Sequence, residues 1–469
     1  MHQPSMGAPG RPAYRDICPT RDAAGSHGGM AERWPESVHA FQAAAAAETT
    51  MSVTERRLPD APAKLDPASG RRVLIVCPEA PSPPTWGYAL RVHHLALELA
   101  RRHRVTLVAY GTADDGRDWA GLRRTLHAVH RVAPPAAVGA RRRHQLASLG
   151  GHSSFHLNAL HSEAMQRELD ALLGKGGFDI VQVESSQMMC FRFPDDTPVV
   201  VDEHNIEYQL LERVARIETS PARRLFGRVE AAKVRREEQS VWRRAAGCVA
   251  TSAIDEAAIR STHPGVPTAI VPNAVDTERI KPDSSPVDPE AILFVGSLNY
   301  RPNADGVAWF VDEVLPRVRR ARPAAELTIV GRGNPALLRR LAAPGVVVAG
   351  AVDDVLPHLR RASVVVAPLR VGGGTRLKVL EGLSMAKPVV STTLGAEGLD
   401  VADGEHLLLA DAAPEMADAI LRLLADPSLA RRLGDAGRAL AVVRYGWAGA
   451  AAQLDAFHTE VVSVRAGRG

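Results

Sequence analysis

The chain has 469 residues, 45% of them hydrophobic and 23% charged, which at about 150 residues per domain leaves room for two to three ordinary buried cores. That composition excludes a disordered or disulfide-stapled chain. Lys+Arg 57 against Asp+Glu 53 leaves a net charge of +4, too even a balance for the clustered basic stripe of a nucleic-acid binder.

Cys18, Cys77, Cys190 and Cys248 lie far apart with no zinc-ligand spacing, so a reducing compartment, the cytoplasm, is expected. No run reaches the ~18 to 20 apolar residues of a membrane span, and the N-terminus lacks the basic flank and apolar core of a secretory signal. Residues 1–70 are rich in Pro, Gly and Ala without a sustained period and read as a disordered extension.

From Arg72 the texture changes to short apolar runs alternating with helical patterns, the signature of parallel α/β layers. Strands are predicted at Val73–Cys77, Val105–Tyr110, Val129–Ala133, Ile180–Val183, Val199–Val201, Gly247–Thr251 and Ala269–Val271. Such continuous apolar strands are buried on both faces. A polar break at Pro282–Pro286 then separates a second series, Ile292–Val295, Glu326–Val330, Val346–Ala349, Ser363–Ala367, Pro388–Ser391 and His406–Leu409. Helices are predicted between them, among them Ala89–Arg102, one continuous helix Asn303–Arg320, and Arg376–Met385. The pattern predicts two tandem doubly wound domains, 71–275 and 285–445, whose strand C-terminal ends face a shared cleft. Residues 446–469 are expected to form a helix packing back toward the first domain.

The strongest chemical feature is Pro368-Leu-Arg-Val-Gly-Gly-Gly-Thr-Arg-Leu-Lys-Val-Leu-Glu381. A buried strand runs through three glycines into a helix, so backbone N–H groups are free to point at an anion. Arg376 and Lys378 add cations suited to a diphosphate. The Gly-Lys-Ser/Thr ending of a P-loop is missing, and the loop after the first strand carries one glycine among four prolines, which disfavours a dinucleotide fingerprint.

The segment Gly372–Thr392 resembles the donor-binding segment of GT-B fold retaining glycosyltransferases of glycosyltransferase family 4. Val271-Pro-Asn-Ala-Val-Asp-Thr277 is similar to that family's domain linker, Phe294-Val-Gly-Ser-Leu298 to the first strand and turn of its donor domain, and Val200-Val-Asp-Glu-His-Asn-Ile-Glu-Tyr208 to a strand-end segment of a bacterial branch. The resemblance spans residues 72 to 460 in order.

It implies an α/β GT-B architecture, two Rossmann-like domains with an acceptor-binding first domain and a donor domain holding a nucleotide-diphosphate sugar. It places Gly87, Gly296, Gly373, Gly374, Thr375 and Arg376 around the donor and diphosphate, and Glu381 on the ribose hydroxyls. His204 would hydrogen-bond the donor sugar or the acceptor, and Arg301 with Lys378 or Arg376 would neutralise the leaving diphosphate, Arg376 and Lys378 both being expected at the surface of the cleft. Glu203 and Asn205 flank His204 on the acceptor side, as does Glu184, which reads equally as a loop carboxylate. Two positions depart from the family pattern: Trp86 stands where a glycine is common, and Gly373 where a glutamate is usual.

No cofactor is expected beyond the donor, and no metal, since the chain contains no Asp-x-Asp and the cations can offset the leaving charge. The acceptor would be a glycan, a lipid-linked group or a small molecule, with no role for nucleic acid. A sugar-nucleotide 2-epimerase or a phosphorylase shares this architecture, and Gly373 leaves open an inactive nucleotide-sugar-binding subunit. Finally, residues 223–244 carry eight basic and three acidic side chains. Two readings stand for this segment: a helix in contact with anionic lipid at the inner face of the membrane, or a solvated helix on which Glu230, Glu237 and Glu238 pair with arginines at helical spacing.

Overall fold

The computed structural model describes residues 70–112, 115–135, 151, 153–218, 220–374 and 376–466. The expected N-terminal extension, Gly70 apart, lies outside these residues, as does Thr375.

Every predicted strand is present, within one or two residues at its ends. The first sheet holds β1 (Arg72–Cys77), β2 (Arg104–Tyr110), β3 (Ala128–Val132), β4 (Ile180–Glu184), β5 (Val199–Glu203), β6 (Gly247–Ala250) and β7 (Thr268–Ile270) in the order 3-2-1-4-5-6-7. The second holds β8 (Ala291–Val295), β9 (Glu326–Val330), β10 (Val346–Gly350), β11 (Val364–Ala367), β12 (Val389–Ser391) and β13 (Leu408–Leu409) in the order 10-9-8-11-12-13. All pairings are parallel. The strand order reverses between β1 and β4 and again between β8 and β11, and at such switch points the loops diverge and leave a crevice.

The strands are apolar because helices cover both faces of each sheet. Helix α1 (Gly87–Ala100) buries Ala89, Val92, Leu95, Ala96 and Leu99, a helical stripe. Helices α2 (Glu207–Ile217) and α3 (Pro221–Arg244) form an antiparallel pair, Gly227 of one approaching Ala215 of the other. The predicted helix Asn303–Arg320 is interrupted: α4 (Arg301–Trp309) widens into a π-turn at Phe310–Val314 before resuming at Leu315–Ala321. Pro316 explains the widening, since it has no N–H to donate and its ring crowds the carbonyl four residues back. Helix α5 (Leu377–Ser384) follows the glycine loop.

The chain crosses between the sheets twice at one place. Val275 N donates to Tyr445 O at 2.8 Å, and Val275 bridges Gly446. Helix α6 (Pro427–Arg444) then leads into α7 (Trp447–Ala466), whose Trp447, Leu454, Phe457 and Val461 are buried in the core beneath β1 and α1. Among the described residues no helix is long and apolar enough to cross a membrane.

Candidate active site

The loops at the strand C-terminal ends of the two sheets meet in a pocket open to solvent and lined by Asn205, Arg213 and Asp255 from the first sheet's side and by Gly373, Gly374 and Glu397 from the second's.

On the second side the glycine loop turns tightly, with Gly372 at φ +127° and Gly374 at φ +77°, conformations open to glycine. A Cβ on Gly374 would lie 2.2 Å from Asn205 Oδ1, so the loop meets the other domain by backbone contact. Arg376 precedes α5, but it does not lie on the cleft surface as expected: it is 2% exposed. Its Nη1 donates to Gly373 O at 3.2 Å, its Nη2 stands 3.6 Å from a carboxylate oxygen of Glu397, and Nε and Nη2 have no hydrogen-bond partner. Burial lowers its pKa. A desolvated guanidinium with two idle donors is an incomplete anion site.

Two residues on, Lys378 Nζ donates to Asn303 Oδ1 at 3.1 Å and lies 5.6 Å from the centre of the Phe294 ring. Burial, with Arg376 adding repulsion, pushes its pKa down to about 7. Gly296 allows this approach, because a Cβ there would meet Asn303 Nδ2 at 2.9 Å and Lys378 Cε at 3.3 Å. Glu381, on the next turn of the same helix, is half-buried, and burial raises it to about 7. Gly87, at the start of α1, faces Leu377 across the cleft.

On the first side, His204 follows β5, and Glu184 ends the neighbouring β4. His204 Nε2 is 2.8 Å from Glu184 Oε2, and its ring stacks on Tyr88 at 5.2 Å. Gln182 Nε2 donates to the other Glu184 oxygen at 2.7 Å. Beneath them Asp202 takes a two-pronged contact from Arg91, 3.0 Å from Nε and 2.7 Å from Nη2, both side chains fully buried. Arg91 Nη1 also donates to Val271 O and Asn273 Oδ1 in the interdomain linker. Ligand atoms of Glu184, Asp202 and His204 come within 4.8 Å of one another, yet each oxygen of the two carboxylates already has a protein partner, so the cluster is complete as a hydrogen-bond network.

Two further expected site residues are placed otherwise. Glu203 is 1% exposed and accepts from Trp242 Nε1 at 2.7 Å, from Ser186 N at 3.2 Å and from the Ser186 hydroxyl. The two-residue period of β5 puts it on the opposite face from Asp202 and His204, where it anchors α3 instead of facing an acceptor. Arg301 reaches across to Glu218 at 2.9 Å, so an ion pair between the domains occupies the side chain expected on the diphosphate.

Residues that the sequence pattern did not single out complete the site. Arg213 on α2 contacts Glu397 Oε2 at 2.6 Å, Oε1 at 3.2 Å, and Gly372 O at 2.8 Å. Asp255 holds the hydroxyls of Thr251 and Ser252 at 2.9 and 2.7 Å. Their signal is positional: each follows or faces a strand C-terminal end, the edge where such sheets bind ligands.

Residues 87–279 match the family model described as Glycosyltransferase Family 4, and residues 289–426 match that described as Glycosyl transferases group 1. Together with the two facing Rossmann-like sheets, these matches make the chain a glycosyltransferase of the GT-B fold. Its fold is similar to that of sucrose-phosphate synthase from Thermosynechococcus elongatus (TM-score 0.63, 18% identity, 84% of this chain and 100% of that one). It is also similar to Anabaena HepE in complex with UDP and glucose (TM-score 0.57, 14% identity, 82% and 98%) and to WaaG, a glycosyltransferase involved in lipopolysaccharide biosynthesis (TM-score 0.55, 15% identity, 82% and 99%). A curated relative, an uncharacterized 44.6 kDa protein in the cps region of Klebsiella pneumoniae, is 27% identical over 129 residues, and the match spans 33% of that protein and 26% of this chain.

Proposed function

We propose that the protein transfers a sugar from a nucleotide-diphosphate sugar, held by the second domain, to a glycan, lipid-linked or small-molecule acceptor on the first, with retention of anomeric configuration and without a metal or other cofactor. The observation that carries this reading is the buried guanidinium of Arg376, with two idle nitrogen donors, beside the half-buried Lys378 at the start of α5. An incoming diphosphate would satisfy both. The complexes of HepE, of the same fold, with UDP and with UDP-glucose support a nucleotide-sugar donor. The names of WaaG and of the cps-region protein support a place in cell-surface polysaccharide or glycoconjugate synthesis.

Breaking the anomeric bond builds negative charge on the departing diphosphate, and preorganised cations in a desolvated cleft stabilise it more than water would. Arg376, Lys378 and the N–H groups of the glycine loop would act there. Glu381, one turn further along α5, would accept from the ribose hydroxyls. His204, fixed by Glu184 and Tyr88, would face the transferred sugar or the acceptor hydroxyl from the other domain. Arg301 reaches the diphosphate only if its contact with Glu218 is exchanged.

The test is a thermal-shift screen of nucleoside diphosphates and their sugars, followed by transfer assays with the stabilising donor. A ligand at 100 times its dissociation constant adds about 2.7 kcal/mol. A chain that no nucleoside diphosphate stabilises would refute the reading.

A further inference from the structure

The arginine-rich segment does not satisfy its own charges. On α3 the three acids turn inward and serve backbone donors of other segments: Glu230 accepts from Phe155 N at 2.8 Å, Glu237 from Ser154 N at 2.6 Å, and Glu238 from Glu207 N and Tyr208 N at 2.9 and 3.0 Å. Among the described residues, Glu237 and Glu238 form no ion pair with an arginine of the helix. Glu230 reaches toward Lys233, itself buried, at 3.9 Å.

The outward stripe is what remains. Leu225, Arg228, Val229, Ala232, Arg235, Arg236 and Arg243 recur at helical spacing, and all are exposed, as is Arg244 beside them. No acid lies among them. Arg235 lies 5.2 Å from the Tyr208 ring centre, while Arg228, Arg236, Arg243 and Arg244 have no ion-pair partner among the described residues. Within this cationic stripe Leu225 is 65% and Val229 37% exposed.

We propose that the outer face of α3 docks the protein on an anionic lipid bilayer. Five arginines without an ion-pair partner among the described residues suit a negatively charged surface, and apolar side chains set between them gain by entering the headgroup boundary, which is the composition of an interfacial helix. Leu225 and Val229 favour a bilayer over a nucleic acid, whose phosphate surface offers them nothing. The location fits a lipid-borne substrate. The face of α3 opposite the stripe packs on α2, and α2 carries Arg213 and Leu210 at the cleft, so the bilayer would lie about one helix diameter, ~10 Å, from the pocket's edge. The surface itself does not depend on the transfer reaction.

The test uses the full chain with sedimented vesicles of phosphatidylcholine alone or mixed with phosphatidylglycerol. The wild type should bind only the mixed vesicles and lose binding as salt rises. At about fivefold per arginine, the double variant R236A/R243A should bind on the order of thirtyfold more weakly, and Leu225→Ser should weaken vesicle binding without changing binding to duplex DNA. All three positions are exposed, and an unchanged thermal midpoint shows that each variant folds. A wild type that ignores phosphatidylglycerol at low salt overturns the proposal. So does a double variant that binds undiminished, or a Leu225→Ser variant that keeps full vesicle binding while duplex DNA binds as tightly as the vesicles.

Discussion

Glu184 Oε2 lies 2.8 Å from His204 Nε2, and the two side chains rise from the ends of the neighbouring strands β4 and β5, beside the switch point of the first sheet. With Tyr88 stacked on the ring, the carboxylate fixes the imidazole's orientation without itself reaching the cleft. Replacing His204 with Ala should lower kcat on the order of 100-fold. Glu184→Gln keeps the shape and removes the anion, so it should lower kcat by about tenfold while leaving nucleoside-diphosphate affinity unchanged. Initial rates and titration calorimetry check both, and a Glu184→Gln enzyme with intact kcat would leave that carboxylate a packing role only.

Lys378 makes donor affinity depend on pH. Its pKa is held at about 7, and a dianionic ligand binds the charged form, so affinity should fall as pH rises above 7, by up to about tenfold per pH unit. Binding in that range should take up a proton, detectable by calorimetry in buffers of different ionisation enthalpy. Lys378→Arg stays charged and should flatten the profile. A flat wild-type profile would remove Lys378 from the diphosphate site.

Stability should move with pH through the acids around α3. Burial pushes Glu207 up to about 7, one of its oxygens having no partner, and burial likewise raises Glu203 and Glu238. Between the ordinary carboxylate value of 4.5 and about 7 the folded chain keeps a proton on Glu207 that the unfolded chain has released. Stability from this group is thus fully present below 4.5 and lost as pH rises, by up to roughly 3 kcal/mol for Glu207 alone. Urea midpoints at about pH 5 and pH 8 measure it, and Glu207→Gln should shrink the difference.

The Arg91–Asp202 pair is the buried charge that ties α1, β5 and the linker. Arg91→Met strands Asp202 in the interior and should cost about 3 to 5 kcal/mol, most of it recovered in the double variant R91M/D202L. Equilibrium unfolding of the single and double variants decides this, and equal losses in both would mean that the pair's packing, not its charge, matters.

Gly374→Ala should weaken the contact between the domains. The new Cβ would meet Asn205 Oδ1 at 2.2 Å in a backbone held at φ +77°, a conformation costing about 1 kcal/mol or more for alanine. Turnover should fall, and combining the change with Asn205→Ala should restore part of it. Small-angle scattering of the variant should report a more open particle.

The sheets were legible because the strands are short apolar runs bounded by turn residues, as at Ser363–Ala367 or Val199–Val201, too short for helices. The π-turn was signalled only by Pro316, which marks the obstacle without telling how the helix absorbs it. Within the site, Gly374, Lys378 and His204 stand in local motifs that place them at strand ends. Arg213 and Glu397 do not, because their role comes from meeting each other 184 residues apart. The same reason hid Glu218 from Arg301 and turned Glu237 and Glu238 away from arginines at helical spacing. Backbone donors of other segments are invisible in a helical wheel, and they competed better for those carboxylates than exposed arginines, whose pairing contributes at most ~1 kcal/mol.

The double crossing at Val275 and Gly446 sets an order of assembly. The first sheet is made early, but the apolar surface it presents around β1 and α1 is covered by Trp447, Leu454, Phe457 and Val461, which are synthesised only after the entire second domain. On the ribosome the second domain can close on itself while the first still waits with an open seam. Of the two domains, the one made first is the one whose core is completed last.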